Sequence, residues 1–170
     1  MKNVLIALAC SLATTMAAAQ QRIDPATTGF PWMNSSAHDA QYRLADHKNV
    51  VHVFEAYSLT CHYCNENAVN VDALATQYMN DPRVAVLDLG LDVNARDYAN
   101  WIATHHPNHP VVKDVGQKVF QALKQEEGIP QTFVVDCTGT LVGSTVGEWG
   151  DAEKQTLRAA IAKAEQTSCN

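Results

Sequence analysis

Two kinds of hydrophobic pattern alternate along the chain. Residues 50–54 (VVHVF) and 83–89 (RVAVLDL) are almost continuously apolar and rich in β-branched side chains, which is typical of strands covered on both faces. Between them, residues 61–79 carry apolar side chains at helical spacing. The order strand, helix, strand predicts two parallel strands joined by a helix.

Further elements continue this alternation. Polar residues that can cap a helix precede four more stretches, so we predict helices beginning at Ser36, Asn94, Asp114 and Asp151. Residues 132–136 and 141–146 are β-rich and separated by a short turn, which predicts an antiparallel hairpin. The predicted fold class is therefore α/β, with a central mixed β-sheet and helices on both faces.

The first residues have the order of a secretory signal peptide. Lys2 is followed by an apolar run and then by small residues that end at Ala19. We expect residues 1–19 to be cleaved, residues 20–35 to form an extended N-terminal leader over the surface, and residues 36–170 to form one domain. This places the mature protein in the periplasm or outside the cell.

Composition and charge narrow the classes of partner. The 170 residues are 46% hydrophobic and 18% charged, enough for one domain with a real core. The formal net charge is −6 and no basic cluster is present, so nucleic acid and anionic membranes are not expected as partners.

The cysteines carry the clearest chemical signal. Of the five, Cys10 falls in the signal peptide, and Cys61 and Cys64 enclose His62 and Tyr63 at a predicted strand-to-helix turn. A sulfur at a helix N-terminus is favoured as a thiolate, which predicts Cys61 as nucleophile and Cys64 as the resolving thiol. A structural disulfide and half of a zinc site are the alternatives from the motif alone.

At this point the chain resembles the thioredoxin superfamily, over residues 37–166. The segment VHVFEAYSLTCHYC is similar to its first core strand and active-site turn, and GIPQT (residues 128–132) to its cis-proline loop. The resemblance implies a thioredoxin fold with Pro130 cis against the two cysteines and the backbone of Ile129 free to pair with an extended substrate. The lengthened segment 88–114 is more similar to exported TlpA-like reductases.

Three neighbours of the cysteines are further candidate site residues. Glu55 stands six residues before Cys61, where the family carries a buried acid beneath the second cysteine, so its pKa should rise and it should exchange a proton with Cys64. Orientation of Glu55 toward solvent is the alternative. We expect His62 and Tyr63 to contact substrate, and a charge on His62 would favour the Cys61 thiolate.

The remaining cysteines and a histidine cluster lie toward the C-terminal half. In the fold implied by the resemblance the last helix ends near the hairpin turn, so we expect a structural disulfide between Cys137 and Cys169, with a second redox pair as the alternative. His105, His106 and His109 have a spacing that suggests metal, but Pro107 breaks the helix that would align them. We therefore expect a solvated loop there and no metal site.

Together these features predict an exported thiol-disulfide oxidoreductase that exchanges disulfides with protein thiols. It would need no cofactor beyond the redox-active Cys61–Cys64 pair, would act as a monomer and would receive electrons from a membrane redox partner. We favour a reductase. An isomerase or oxidase of the same fold and a Cu(I) carrier that uses the same two cysteines are the alternatives.

Overall fold

A five-stranded mixed sheet forms the centre of the computed structural model, which describes residues 20–37, 39–92 and 94–169. Its strands are β3 (Val51–Tyr57), β4 (Val84–Gly90), β5 (Val111–Lys113), β6 (Gln131–Val135) and β7 (Leu141–Val146). The strand order is β5-β4-β3-β6-β7, in which β3 pairs parallel with β4 and β4 with β5, whereas β6 is antiparallel to both of its neighbours. Strands β1 (Gly29–Pro31) and β2 (Gln41–Arg43) form a separate antiparallel pair.

Helices cover both faces of the sheet, as the sequence predicts. Four α-helices are described: α1 (His62–Tyr78), α2 (Ala95–His105), α3 (Lys118–Leu123) and α4 (Asp151–Ala164). Helices α1 and α4 pack on the face that carries Val53 and Val134. Helix α3 and the β1–β2 pair pack on the opposite face, against Phe54 and Phe133. Each face therefore has its own apolar core, and β3 lies between the two.

The N-terminal region differs from its prediction. The helix expected from Ser36 to about residue 45 is wrong: β2 and a 3-10 turn (Leu44–Asp46) stand there instead. In β2 the exposed Gln41 and Arg43 flank the buried Tyr42, an alternation of period two that three residues are too few to reveal in sequence.

Residues 20–35 are also more than a leader over the surface. Ile23 and Phe30 are buried in the core beside Phe54, and Arg22 forms an isolated bridge with Thr140. The domain boundary placed at residue 36 is therefore not a structural boundary. The predicted signal peptide, residues 1–19, lies outside the described residues.

One helix start and one helix cap also differ from the predictions. Residues Gly116 and Gln117 have positive φ and interrupt the helix expected from Asp114, so that a 3-10 turn (Val115–Gln117) precedes the short α3. Asp114 still caps, because its carboxylate accepts the N–H groups of Val119 and Phe120. Helix α4 begins at Asp151, as predicted, but its N-cap residue is Gly150 rather than Asp151. Within the described part of the chain, no helix is long and apolar enough to cross a membrane.

Candidate active site

The two cysteines of the CHYC segment lie at the N-terminus of α1 and are joined in a disulfide, with their Cα atoms 5.2 Å apart. Cys61 is the N-cap residue, and its Sγ accepts the backbone N–H of Cys64 at 3.2 Å. Cys64 is 3% exposed, whereas Cys61 is partly exposed. The two sulfurs are therefore inequivalent: one faces solvent at the positive end of a helix, and the other is covered.

The turn before Cys61 is held by a carboxylate at the end of β4. Asp92 accepts the backbone N–H of Leu59 at 2.8 Å and the hydroxyl of Ser58 at 3.0 Å. On α1, Asn65 accepts the indole N–H of Trp101 at 2.9 Å. Sequence reasoning missed Asp92. The signal was present, since an acid directly after a buried parallel strand stands at the sheet edge where such sites form.

The loop before β6 faces Cys61. The Ile129–Pro130 peptide bond is cis, and the Sγ of Cys61 lies 3.9 Å from the carbonyl oxygen of Ile129. The carbonyl of Pro130 accepts the N–H of Gly147 at 2.9 Å, which ties the loop to the end of β7. Pro130 itself is buried and Ile129 is partly exposed, so a substrate would meet the backbone of Ile129 before the proline ring.

A second missed residue shapes this loop from within. Gln131 is fully buried, and its side-chain amide donates to the carbonyl oxygens of Glu126, at 2.9 Å, and Gly128, at 2.6 Å. Its Oε1 accepts the N–H of Gln125 at 3.0 Å. The Gln131 side chain thus satisfies backbone groups of the loop that have no partner in a strand or helix. In this way it holds residues 125–130 in place beside the cysteines.

Glu55 is buried, and its predicted orientation away from solvent is confirmed. It is 3% exposed in the middle of β3 and accepts hydrogen bonds from the amide of Asn67, at 2.8 Å, and from the hydroxyl of Thr132. Asn67 lies on α1 three residues beyond Cys64, so the acid is connected to the helix that carries the cysteines. Thr132 in turn accepts the indole N–H of Trp149 at 2.9 Å.

Burial controls the proton affinity of this acid. Loss of solvation raises the pKa of Glu55 from 4.5 to about 7, although the hydrogen bonds from Thr132 and Asn67 favour the carboxylate. The carboxylate of Asp88 adds to the rise and His109 opposes it. At neutral pH the side chain can therefore both accept and donate a proton.

Comparison with known proteins assigns the family. The AhpC/TSA family model matches residues 27–144. The chain belongs to the AhpC/TSA family. No curated protein sequence matches the chain significantly. The match spans the CHYC segment, Glu55 and the cis-proline loop.

Solved structures agree on the thioredoxin fold, which confirms the fold class. A thiol:disulfide interchange protein DsbE from Chlorobium tepidum is 18% identical with a TM-score of 0.68, over 86% of this chain and 99% of that one. A secreted Mycobacterium tuberculosis disulfide oxidoreductase homologous to E. coli DsbE is 12% identical with a TM-score of 0.60, and the match covers 80% of this chain and 95% of that one. A thiol-disulfide isomerase from Corynebacterium glutamicum is 16% identical with a TM-score of 0.63, and the match covers 81% of this chain and 92% of that one.

The two residues between the cysteines face solvent. Tyr63 is 59% exposed. His62 is also exposed, and its Nε2 lies 3.3 Å from Oε1 of Glu66, one helical turn along α1. The polar contact of the imidazole is therefore with Glu66 instead of a cysteine sulfur. Both side chains are accessible to an approaching protein.

A second disulfide joins Cys137, in the turn between β6 and β7, to Cys169, beyond the end of α4. The Cα atoms are 6.0 Å apart and the bond closes 32 residues of sequence. It lies at the end of β6 opposite Pro130, so the length of that strand separates it from Cys61 and Cys64.

The expectation of a solvated histidine loop is wrong for His109. This residue is buried, because the chain turns back after α2 to form β5 and carries His109 between Asp72 of α1 and Asp88 of β4. His106 is exposed and ends α2 in a left-handed conformation, and His105 stacks on Trp101. Among the described residues, no three or more His, Cys, Asp and Glu side chains group as a metal site.

Proposed function

We propose that this protein is an exported thiol-disulfide oxidoreductase that reduces disulfides in protein substrates through Cys61 and Cys64. The observation that carries the proposal is the inequivalence of the two sulfurs: Cys61 is partly exposed at the start of α1, whereas Cys64 is buried. Such a pair suits attack by one thiol and resolution by the other. No cofactor beyond this pair is required.

Cys61 performs the first step. In the reduced protein its sulfur lies at the positive end of α1, where the N–H of Cys64 is positioned to donate to it, and both effects favour the thiolate. The thiolate attacks one sulfur of a substrate disulfide. A bond forms between Cys61 and that sulfur, and the other substrate sulfur leaves as a thiolate, which takes a proton from water.

Cys64 performs the second step with Glu55 as its base. The Cys64 thiol gives its proton to the Glu55 carboxylate and attacks Cys61, so that the Cys61–Cys64 disulfide forms and the second substrate sulfur leaves as a thiolate. The substrate has gained two electrons and this protein has lost two. A thiol donor, which we propose to be a membrane redox partner, returns the two electrons and restores both thiols.

Substrate binding uses the backbone beside Cys61. We assign Ile129 and Pro130 to the support of an extended substrate segment, because the carbonyl of Ile129 already lies next to the Cys61 sulfur. His62 and Tyr63 follow Cys61 directly, are exposed, and form the second contact region. A protein substrate bound at Cys61 thus contacts both regions.

Different observations support the proposed direction of electron flow and the proposed export of the protein. The predicted signal peptide and a secreted structural neighbour support export. The reductase assignment rests on the similarity of the lengthened segment 88–114 to TlpA-like reductases. One structural neighbour is named as an isomerase. Isomerisation of substrate disulfides through the same two cysteines is therefore the alternative to reduction.

The reduction potential of the Cys61–Cys64 pair tests the direction. A value near that of thioredoxin, about −270 mV, is expected for a reductase, whereas a value near −120 mV would indicate an oxidase. Insulin reduction by the mature protein tests the activity, with Cys61→Ala as the inactive control. A protein that binds one equivalent of Cu(I) tightly and leaves insulin intact would instead be a copper carrier.

A further inference from the structure

A row of polar side chains crosses the sheet at the level of Glu55. In the strand register, Glu55 stands opposite Asp88 of β4 on one side and Thr132 of β6 on the other. The next positions on the same face, Val53 and its partners, are apolar. Register partners on neighbouring strands are about 5 Å apart and point to the same face, so two buried carboxyl groups are neighbours here.

An imidazole closes this row on the side away from β6. The Nε2 of His109 lies 3.0 Å from Oδ2 of Asp88, and its Nδ1 lies 3.1 Å from Oδ1 of Asp72. The side chains of His109 and Asp88 are 4% and 3% exposed, and that of Asp72 is 29% exposed. Burial lowers the pKa of His109, but the contacts with Asp88 and Asp72 outweigh it and raise the pKa.

We infer that Asp88 and His109 are a pair of positioning residues whose opposite charges set how readily Glu55 takes the proton of Cys64. The inference rests on the proposed function, because it concerns the base of the second step. Asp88 places a negative charge beside Glu55 and disfavours its carboxylate. His109, held as a cation between two acids, cancels much of that charge and keeps Glu55 able to titrate near neutral pH.

The groups that face Glu55 fix the sign of each contribution. Strand β6 supplies a neutral hydroxyl, that of Thr132, and α1 supplies the neutral amide of Asn67. On the face of the sheet that carries Glu55, the nearby titratable groups include Tyr57 on β3, Cys64 and Asp72 on α1, Asp88 on β4, and His109 before β5. His52 of β3 lies on the opposite face, stacked on Phe54. Of these, Asp88 and His109 are the two whose charges act on Glu55, with opposite effects.

Two single substitutions should therefore shift Glu55 in opposite directions. His109→Gln removes the cation and leaves Asp88 uncompensated, which should move the Glu55 titration midpoint up by about one pH unit. Asp88→Asn removes the anion and should move the midpoint down by a similar amount, about one unit. His106→Asn is the matched control, since it removes an imidazole from the same loop at an exposed position, and it should leave the midpoint unchanged.

The measurement is the ¹³C chemical shift of the Glu55 side-chain carboxyl against pH in the oxidised mature protein. This titration needs no turnover, so it decides the inference even if the protein fails to reduce insulin. In kinetic experiments, the rate of the second step at pH 7 should fall about fivefold in His109→Gln. Glu55 would then be ionised in about one molecule in ten, compared with about one in two in the wild type.

Opposite shifts in the two variants support the inference. Unchanged midpoints, or shifts of both variants in the same direction, would overturn it and leave the pair a structural feature. If His109→Gln does not fold, Asp88→Asn decides alone: a lower midpoint supports the inference, and an equal or higher one overturns it.

Discussion

The side-chain amide of Asn67 donates a hydrogen bond of 2.8 Å to the carboxyl group of Glu55. The Oδ1 of Asn67 meanwhile accepts the backbone N–H of Trp149 at 3.1 Å, and Trp149 donates its indole N–H to Thr132. Because Thr132 also donates a hydrogen bond to Glu55, these side chains and the backbone N–H of Trp149 form a closed ring of hydrogen bonds. A fully satisfied buried network of this kind fixes one orientation of the acid.

Glu55→Gln should make stability less dependent on pH. The folded protein holds the pKa of Glu55 at about 7, above its ordinary value of 4.5, so the folded state binds more protons than the unfolded state between these values. Wild-type stability should therefore fall, relative to the variant, as pH rises from about 4.5 to about 7, by a few kcal/mol in total. Urea unfolding at pH 4.5 and pH 8 measures this.

The exposed Glu66 on α1 provides the control. Glu66→Gln should show the same pH dependence of stability as the wild type, because Glu66 is exposed in the folded protein. An identical pH dependence of unfolding in wild type and Glu55→Gln would mean that Glu55 is ionised in the folded protein well below pH 7.

The same Glu55→Gln variant should separate the two chemical steps. Gln keeps the shape of the side chain but cannot accept the proton of Cys64, so resolution of a mixed disulfide should slow by about 100-fold at pH 7. Attack by Cys61 should change little. Stopped-flow measurement of both steps with a fluorescent disulfide peptide tests this, and equal slowing of the two steps would contradict the role of Glu55 as base.

The parts of the site that sequence predicts are those whose signal is local. The strand before Cys61, the helix after it and the loop around Pro130 are each marked by neighbouring residues, and the structure has all three. The burial of Glu55 follows as well, since it lies in the middle of an apolar strand. In contrast, β1, β2 and β5 have three residues each, too few for a period of two to be recognised.

The features that sequence misses depend on distant partners. Asn67 and Gln131 are polar residues at buried positions, and nothing near them in sequence indicates which groups they satisfy. His109 is buried because Asp72 and Asp88, 37 and 21 residues earlier, approach it from two different elements. A histidine that lies between two prolines is typical of a loop, and only the tertiary contacts show that it is buried beside two carboxylates.

Replacing Cys64 by Ala should trap substrates as mixed disulfides with Cys61, since the resolving thiol is lost. Non-reducing gel electrophoresis of the variant with an oxidised protein substrate should show the adduct, which dithiothreitol releases. Cys61→Ala is the matched control and should give none. An adduct in Cys61→Ala of equal yield would identify a different nucleophile.

Limiting iodoacetamide should label Cys61 in the reduced protein and leave Cys64 largely unmodified. Cys61 is the partly exposed helix N-cap, and Cys64 is 3% exposed. The alkylation is carried out at neutral pH, and peptide mass mapping then locates the label. Label found mainly on Cys64 would reverse the assignment of the two steps.

Asp92→Asn should loosen the turn that precedes Cys61. The two carboxylate oxygens accept the N–H of Leu59 and the hydroxyl of Ser58, whereas an amide has one acceptor oxygen. The variant therefore loses one of these hydrogen bonds, at a cost of about 1–2 kcal/mol in stability. Because the turn positions Cys61, insulin reduction should slow more than the loss of stability explains. Asp97→Asn, at an exposed site on α2, is the control. Unchanged activity would show that the turn holds its shape without Asp92.

The Cys137–Cys169 disulfide should be structural and catalytically silent. It closes the unit formed by β7 and α4, neither of which supplies a sulfur to the reaction, and it lies at the far end of β6 from Pro130. Replacing both cysteines by Ala should lower the free energy of unfolding by about 2–4 kcal/mol, because the unfolded chain gains freedom. Turnover of a small disulfide substrate at 25 °C should stay at the wild-type rate.

Selective reduction gives an independent test of the same bond. Mild dithiothreitol should reduce Cys61–Cys64 fully and leave Cys137–Cys169 oxidised, since structural disulfides resist reduction more than catalytic ones. Mass mapping after alkylation counts the free thiols at each dithiothreitol concentration. A double variant of normal stability that cannot turn over substrate would contradict the structural role, because it would mean that electrons pass through Cys137 and Cys169.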